Sequence, residues 1–220
     1  MKTSILMLTH DAHKYVKESI VSVKEKTRDE NYELIVVDNA SKFWTRMLLK
    51  RLQKKGYIDK LYFNSTNALF AKGNNLASTF ADENSNFILL LNSDISIKDS
   101  KWLSKLIEIH PQEGGISSFG AVEEEPIRAD GYCMLIDKYL YDKYKLDEQY
   151  EWFWGVTKLE SEVLKEGLRI VAVKNHEKYI HHYGGKSGKG YANAKGLDID
   201  ITEVSKWFSK GKVEILDYIE

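Results

Sequence analysis

The sequence is short of several things, and each shortage excludes something. A single cysteine, Cys133, stands in 220 residues. Neither an internal disulfide nor a cysteine-based zinc site can form, and a reducing, cytoplasmic setting is expected. No apolar run approaches the roughly 20 residues that span a bilayer. The apolar stretch behind Met1 is too short for a secretory leader. A soluble chain without a transmembrane segment is therefore expected, with peripheral contact to a membrane left open. Neither sign of charge is in excess: 32 basic residues against 33 acidic ones leave −1. That speaks against nucleic acid as a partner bound through a broad basic face, and against an acidic tail. Glycine is missing from the first strand-to-helix turn, Thr9-His10-Asp11-Ala12-His13, so the dinucleotide fingerprint is absent. The stretch from Gly115 to Gly120 leads into Ala-Val rather than Lys-Ser/Thr, which removes a P-loop, and no Gly-x-Ser-x-Gly elbow points to a hydrolase.

What is present is a regular alternation. Residues 4–9, 33–38, 60–63 and 86–91 are short apolar runs rich in β-branched or aromatic side chains, the pattern of buried parallel strands. Helical spacing fills 14–25, 43–55 and 71–82, and a further helix over 99–109 stops before Pro111. Strand–helix–strand repetition predicts an α/β fold with a mostly parallel central sheet flanked by helices. The 43% apolar content suits one domain. We read residues 1–110 as a binding half and 111–220 as a second half with a smaller subregion. In that second half, 129–136, 168–173 and 178–182 read as strands, and 157–166 and 202–210 as helices. Thr157 to Glu160 fits a capping box and Gly167 a C-terminal stop. Residues 184–200, rich in Gly and Lys, read as a flexible loop.

Each of the first four strands ends in polar residues: Thr9-His10-Asp11, Asp38-Asn39-Ala40-Ser41, Asn64-Ser65-Thr66-Asn67 and Asn92-Ser93-Asp94. Any one of these is ordinary turn or cap chemistry. If the strands are parallel neighbours, the four share one rim, where open parallel sheets bind ligands. Without a glycine-rich cradle, a carboxylate-held divalent cation is the remaining means of cancelling phosphate charge.

At this point the residues resemble a known family. SILMLTHDAHKYVKESIVSV followed by ELIVVDNAS is similar to the opening of family 2 glycosyltransferases, which have the GT-A fold, a Rossmann-like sheet. NALFAKGNN (67–75) resembles their Asn-x-Gly-Phe-Ala-x-Gly-x-Asn segment, and ILLLNSDISI their Leu-Asn-Pro-Asp-Thr stretch, the short form of Asp-x-Asp. DGYCMLIDK (130–138), LDEQYEWFWG (146–155) and HHYGGKS (181–187) are similar to later segments in the family's order. The resemblance implies a nucleotide-diphosphate sugar as donor and a glycan or lipid-linked glycan as acceptor. It implies donor contacts from Thr9, Asp11, Asp38, Asn39, Lys72, Asn75, Asn92 and Ser93. It implies Mn²⁺ or Mg²⁺ on Asp94, with His182 as second ligand or diphosphate contact and His181 as the fallback.

Two departures stand out. Asn92 occupies the place of the first carboxylate of a full Asp-x-Asp, leaving Asp94 alone, which suffices for Mg²⁺. The family's catalytic base lies in a Gly-Glu-Asp-like segment, where this chain reads Trp154-Gly155-Val156-Thr157. Glu160 and Glu162 are the nearest candidates, with Glu151 upstream, although Glu160 doubles as the capping-box residue. Lys186 and Lys189 are candidates to close over phosphates, and Trp152, Phe153 and Trp154 to form a sugar platform. Both sets have blander readings as solvated or core residues. The expected function is a metal-dependent, inverting glycosyltransferase. The alternatives are a nucleotide-sugar or glycan-binding relative that has lost its base, and, third, a sugar nucleotidyltransferase.

Overall fold

The structure is a computed structural model, and it describes residues 1–186 and 191–219. In chain order its elements are β1 (Thr3–Thr9), α1 (His13–Lys26), β2 (Tyr32–Asp38), α2 (Phe43–Lys54), β3 (Lys60–Phe63), α3 (Leu69–Ser78), β4 (Phe87–Leu91), β5 (Ile95–Ile97) and α4 (Trp102–Glu108). There follow β6 (Gly115–Phe119), β7 (Ala121–Val122), β8 (Arg128–Ala129), β9 (Cys133–Asp137), α5 (Lys138–Tyr144), α6 (Trp154–Lys165), β10 (Arg169–Val173), β11 (Ile180–His182), α7 (Ile201–Trp207) and β12 (Glu214–Leu216).

Eight strands form one sheet in the order β12-β10-β6-β9-β4-β1-β2-β3. Neighbours pair in parallel except around β9, which runs antiparallel to both β4 and β6. The expected α/β architecture, a mostly parallel sheet flanked by helices, is what the chain adopts. Alternation along each strand sends Ile5, Met7, Leu34, Val36, Leu89 and Leu91 to one apolar layer and Leu6, Ile35, Val37, Ile88 and Leu90 to the other. Both faces are covered, which is why these strands read as unbroken apolar runs rather than as polar–apolar alternation.

The element boundaries differ from expectation where tertiary packing decides them. The run 129–136 is not one strand: β8 ends at Ala129, the chain turns through Asp130 to Tyr132, and β9 begins at Cys133. Helix α6 begins at Trp154 rather than Thr157, because the Trp154 side chain is buried against Val204 and Trp207. The capping box is therefore absent, and the N-cap residue is Phe153. Of the expected 184–200 loop, 187–190 lie outside the described residues, as does Lys189.

Candidate active site

The order β4-β1-β2-β3, all parallel, brings the four polar strand ends to one rim. Backbone strain collects there. Asp11, Ala12, Ala40 and Leu69 all have φ near +50°, in the left-handed region that non-glycine residues seldom enter and that clusters at functional sites. Local bonds hold the strain: the Asp11 amide donates to Ser41 Oγ at 2.7 Å, and the Leu69 amide to Asn67 Oδ1 at 3.0 Å.

Two contiguous cavities open at this rim. The narrower, about 50 Å³, is lined by Thr9, Asn39, Asn67, Asn92 and Ser93 among others, and the wider, about 370 Å³, by Arg128, Asp130, Tyr132, Phe153 and Thr157. Asn92, Phe70 and Trp152 belong to both. A larger cavity of about 710 Å³ lies at the opposite, amino-terminal edge of the parallel strands, beside His110 and Asp137. His110 there bridges Ser117 and Asp137, each at 3.0 Å, but Ser117 is buried and donates its hydroxyl proton to the Leu106 carbonyl. That cluster braces the fold and offers no nucleophile.

Asp94 sits where β4 has ended and β5 begins, and its position is set from both sides. On one side, Ser19 Oγ of α1 donates to the Ile95 carbonyl at 2.8 Å and accepts from the Ile95 amide at 3.0 Å. On the other, β11 pairs antiparallel with β5, placing His182 opposite Ile95. The Asp94 side chain is 0% exposed. Its Oδ2 accepts from the Lys186 amide at 2.9 Å, and its Oδ1 lies 3.3 Å from His182 Nε2. Burial pushes the carboxyl upward, yet His182 and the Lys186 amide outweigh it and hold the group below its ordinary value.

His182 Nε2 is also 3.5 Å from Asn92 Nδ2, and its ring stacks on Tyr132 with centroids 4.2 Å apart. Tyr132 in turn donates its hydroxyl to His176 Nε2, and His176 Nδ1 donates to the Val173 carbonyl at 3.0 Å. His181, one residue earlier on β11, stands edge-on to Tyr183 instead. Ser93 Oγ is buried without a hydrogen-bond partner among the described residues, and the contact of Asp94 Oδ1 there is the long one to His182. Buried polar atoms are nearly always paired, so an unpaired hydroxyl beside a carboxylate oxygen with only a long contact leaves hydrogen-bonding capacity at this strand end.

The remaining expected residues divide. Thr9, Asn39, Asn92 and Ser93 line the narrow cavity. Asp38 lies beneath it, fully buried, accepting from Thr9 Oγ1 and from the Ser41 amide, each at 3.1 Å, with Arg46 Nε at 3.9 Å. Asn39 donates to the Leu69 carbonyl at 3.2 Å and accepts from Asn64 Nδ2 at 2.8 Å, so the ends of β2 and β3 and the start of α3 are tied together. Three further expected donor contacts, like Asp38, line neither cavity. Asp11 Oδ1 accepts from the Lys42 amide, Lys72 is exposed on α3, and Asn75 clamps the loop ahead of α6 through the Leu146 backbone and Glu148.

The base candidates do not reach the cavities either. Glu160 is fully buried, with Oε2 accepting from the Ala129 amide at 2.8 Å and Oε1 unpartnered. Burial pushes its carboxyl well above the ordinary value. Glu162 pairs with Lys165 at 2.7 Å on the outer side of α6. Glu151 accepts from the Lys195 amide at 2.7 Å. The carboxylate that does line the wide cavity is Asp130, whose Oδ1 accepts from the Tyr132 amide at 3.3 Å. The sequence hides it, because DGYCMLI reads as a single strand without a turn. Since the Asn92 amide donates to the Tyr132 carbonyl at 2.8 Å, Asp130 lies just beyond the Asn92–Asp94 segment. Trp152 and Phe153 border the wide cavity, with Trp152 stacked on Tyr191 at 4.7 Å, whereas Trp154 is buried. Lys186 contributes its backbone amide.

No group of three or more His, Cys, Asp or Glu residues able to hold a metal occurs among the described residues. Asp94 and His182 are a two-donor set, sufficient for a cation that takes its other ligands from phosphate and water.

Solved structures share this fold. A mannosyltransferase from Pyrobaculum calidifontis, in complex with GDP-Man and Mn²⁺, superposes with a TM-score of 0.67 at 13% identity, covering 79% of this chain and 55% of its own. S. aureus TarS (residues 1–349) with UDP-GlcNAc gives a TM-score of 0.64 at 16% identity, over 95% of this chain and 71% of that one. TarS itself gives 0.61 at 17%, over 83% and 36%. The chain thus spans about half the length of the first of these and about a third of the last. No curated protein matches the sequence. The profile of glycosyl transferase family 2 matches residues 4–160, well over half of the sequence, and the chain belongs to that family.

Proposed function

We propose that this chain transfers a sugar from a nucleotide-diphosphate sugar to a hydroxyl acceptor, with inversion and with Mn²⁺ or Mg²⁺ at the diphosphate. The observation that carries the reading is a buried hydroxyl without a partner, Ser93 Oγ, beside Asp94 Oδ1, whose neighbour is His182 at 3.3 Å, at the end of β4 beside the narrow cavity. The complexes of the P. calidifontis enzyme with GDP-Man and Mn²⁺ and of TarS with UDP-GlcNAc are consistent with it. Asp94 and His182 would hold the cation, which, when bound, draws charge from the departing diphosphate. Thr9 and Asn39 face the nucleoside end, and buried Asp38 fixes Thr9 and Ser41 in place.

The wide cavity takes the acceptor. Trp152 and Phe153 offer it apolar walls, and Asp130 is the general base in place of Glu160 or Glu162. The acceptor hydroxyl proton passes to the Asp130 carboxylate as its oxygen bonds to the anomeric carbon. The bond from that carbon to the phosphate oxygen breaks, and the electron pair leaves with the nucleoside diphosphate. General-base catalysis of this kind contributes about 10²–10⁴-fold.

Asp130→Asn is expected to lower turnover by about that factor while nucleotide binding, followed by calorimetry, is retained. Asp94→Ala is expected to abolish turnover in a folded protein. Full activity in Asp94→Ala would refute the reading. A second reading, a donor-binding relative without catalysis, is favoured by Val156 and Thr157 standing at the acceptor cavity where the family's carboxylate belongs. Wild-type protein that binds a nucleotide sugar yet neither transfers nor hydrolyses it would establish that reading.

A further inference from the structure

Helix α2 carries a surface that the site does not use. Residues 42–55, KFWTRMLLKRLQKK, contain six cations and no acid, in a chain whose net charge is −1. Helical spacing separates the roles. Thr45, Leu49 and Leu52 are buried, whereas Phe43, Met47, Lys50 and Lys54 fall on the opposite side at intervals of three and four, flanked by Trp44 and Arg51. Trp44 is 74% exposed and Phe43 64%. Two adjacent large aromatics so uncovered are unusual on a soluble surface. Lys42 and Arg46 face Asp11 and Asp38, at 3.8 and 3.9 Å. Lys50, Arg51, Lys54 and Lys55 have no ion-pair partner among the described residues and are exposed.

We propose that this outer face of α2 docks on an anionic lipid bilayer, with Phe43 and Trp44 entering the headgroup layer and the four cations without an ion-pair partner lying along it. A cationic helix with Trp and Phe on its outward side has the composition of interfacial helices. Aromatic side chains that are part apolar and part polar favour the membrane–water boundary. The face is convex, so it offers no groove for a peptide. Its two rings touch each other at 76° with centroids 5.2 Å apart, which presents no parallel pair of faces for stacking nucleobases. Docking stands apart from the proposed activity. What rests on that activity is its consequence: α2 starts two residues after Ser41 at the rim, so a docked α2 holds the cleft against the membrane and suits a lipid-borne acceptor.

The test is co-sedimentation of the whole chain with vesicles of phosphatidylcholine alone or of phosphatidylcholine and phosphatidylglycerol in equal parts, at low and high salt. Binding is expected to the anionic vesicles only, and to weaken with salt. Replacing Lys50, Arg51 and Lys54 by Ala should lower the affinity roughly fivefold per charge. Phe43→Ala with Trp44→Ala should lower it further. All five residues lie on the helix surface, so unchanged melting temperatures check that the variants fold. Absence of vesicle binding, equal binding to neutral vesicles, or full binding by both variants would overturn the proposal. So would retention of single-stranded RNA by a protein that ignores vesicles, which would assign the face to nucleic acid. Vesicle binding without sugar transfer would leave docking standing and remove only the lipid-borne acceptor.

Discussion

Glu160 shows how one residue type serves opposite ends according to where the fold puts it. In the sequence it is the carboxylate nearest the missing base; in the fold it is buried beneath β8, with one oxygen on the Ala129 amide and the other unpartnered. Burial raises its carboxyl well above 4.5, more than the Ala129 amide and the Arg128 charge lower it. The folded state therefore holds a proton that the unfolded chain releases. That contribution to stability is fully present below the unfolded value near 4.5 and is lost as pH rises toward the folded value. Glu160→Gln keeps the shape and the acceptor for Ala129 but cannot ionise. It is expected to stabilise the protein at neutral pH, because folding then no longer has to take up a proton. It should also flatten the decline above pH 4.5, as measured by urea unfolding across that range. Because Glu160 lines neither cavity, turnover should persist. Asp94, equally buried, shifts the other way because His182 and an amide serve its charged form.

At the scale of elements, the short strand β5 matters most, because it fixes where Asp94 points. Ser19 of α1 bonds both backbone groups of Ile95, and Ser22 Oγ accepts from the Ile97 amide at 3.0 Å. Ser19→Ala removes two of these three bonds at a buried site and is expected to cost about 1–3 kcal/mol in urea unfolding. It should also weaken nucleotide binding, which a change that merely destabilised α1 would leave intact. The start of α6 is equally constrained: a Cβ at Gly155 would lie 2.9 Å from the Tyr150 carbonyl oxygen and 3.2 Å from that of Asp147. Since both obstacles are backbone, Gly155→Ala is expected to cost about 1–3 kcal/mol by overpacking. Such details explain where the sequence was legible. Strands β1 to β4 and helices α1 and α2 announce themselves through period and length, since both sheet faces are covered and each helix has one buried stripe. β5 has three residues, and β12 pairs only through Val171 to Val173 with Glu214 to Leu216. Both exist because a neighbour completes their hydrogen bonds, and no local pattern carries that information. The turn at Asp130 was hidden for the same reason.

For the molecule as a whole, the arrangement β4-β1-β2-β3 turns four ordinary turn sequences into one rim, and this much followed from parallel pairing alone. What did not follow was the other wall of the site. β11 reaches Asp94 from about ninety residues further along the chain to deliver His182, and Tyr191 arrives over Trp152 from a stretch without periodicity. A wall assembled from distant segments has a thermodynamic consequence: a ligand that needs all of them binds the folded state and not the unfolded chain. Stabilisation then follows RT ln(1 + [L]/Kd), about 2.7 kcal/mol at a hundredfold excess over Kd. At roughly 2–4 °C per kcal/mol for a chain of this size, melting should rise by about 5–10 °C. Nucleoside diphosphates are expected to do this for one base in preference to others, and more strongly with Mn²⁺ than without it. In Asp94→Ala the increment due to Mn²⁺ should vanish while the metal-independent part, carried by the Thr9 and Asn39 side of the cleft, persists. A Mn²⁺ increment undiminished in that variant would move the cation away from Asp94. No shift with any nucleoside diphosphate would remove the donor site itself.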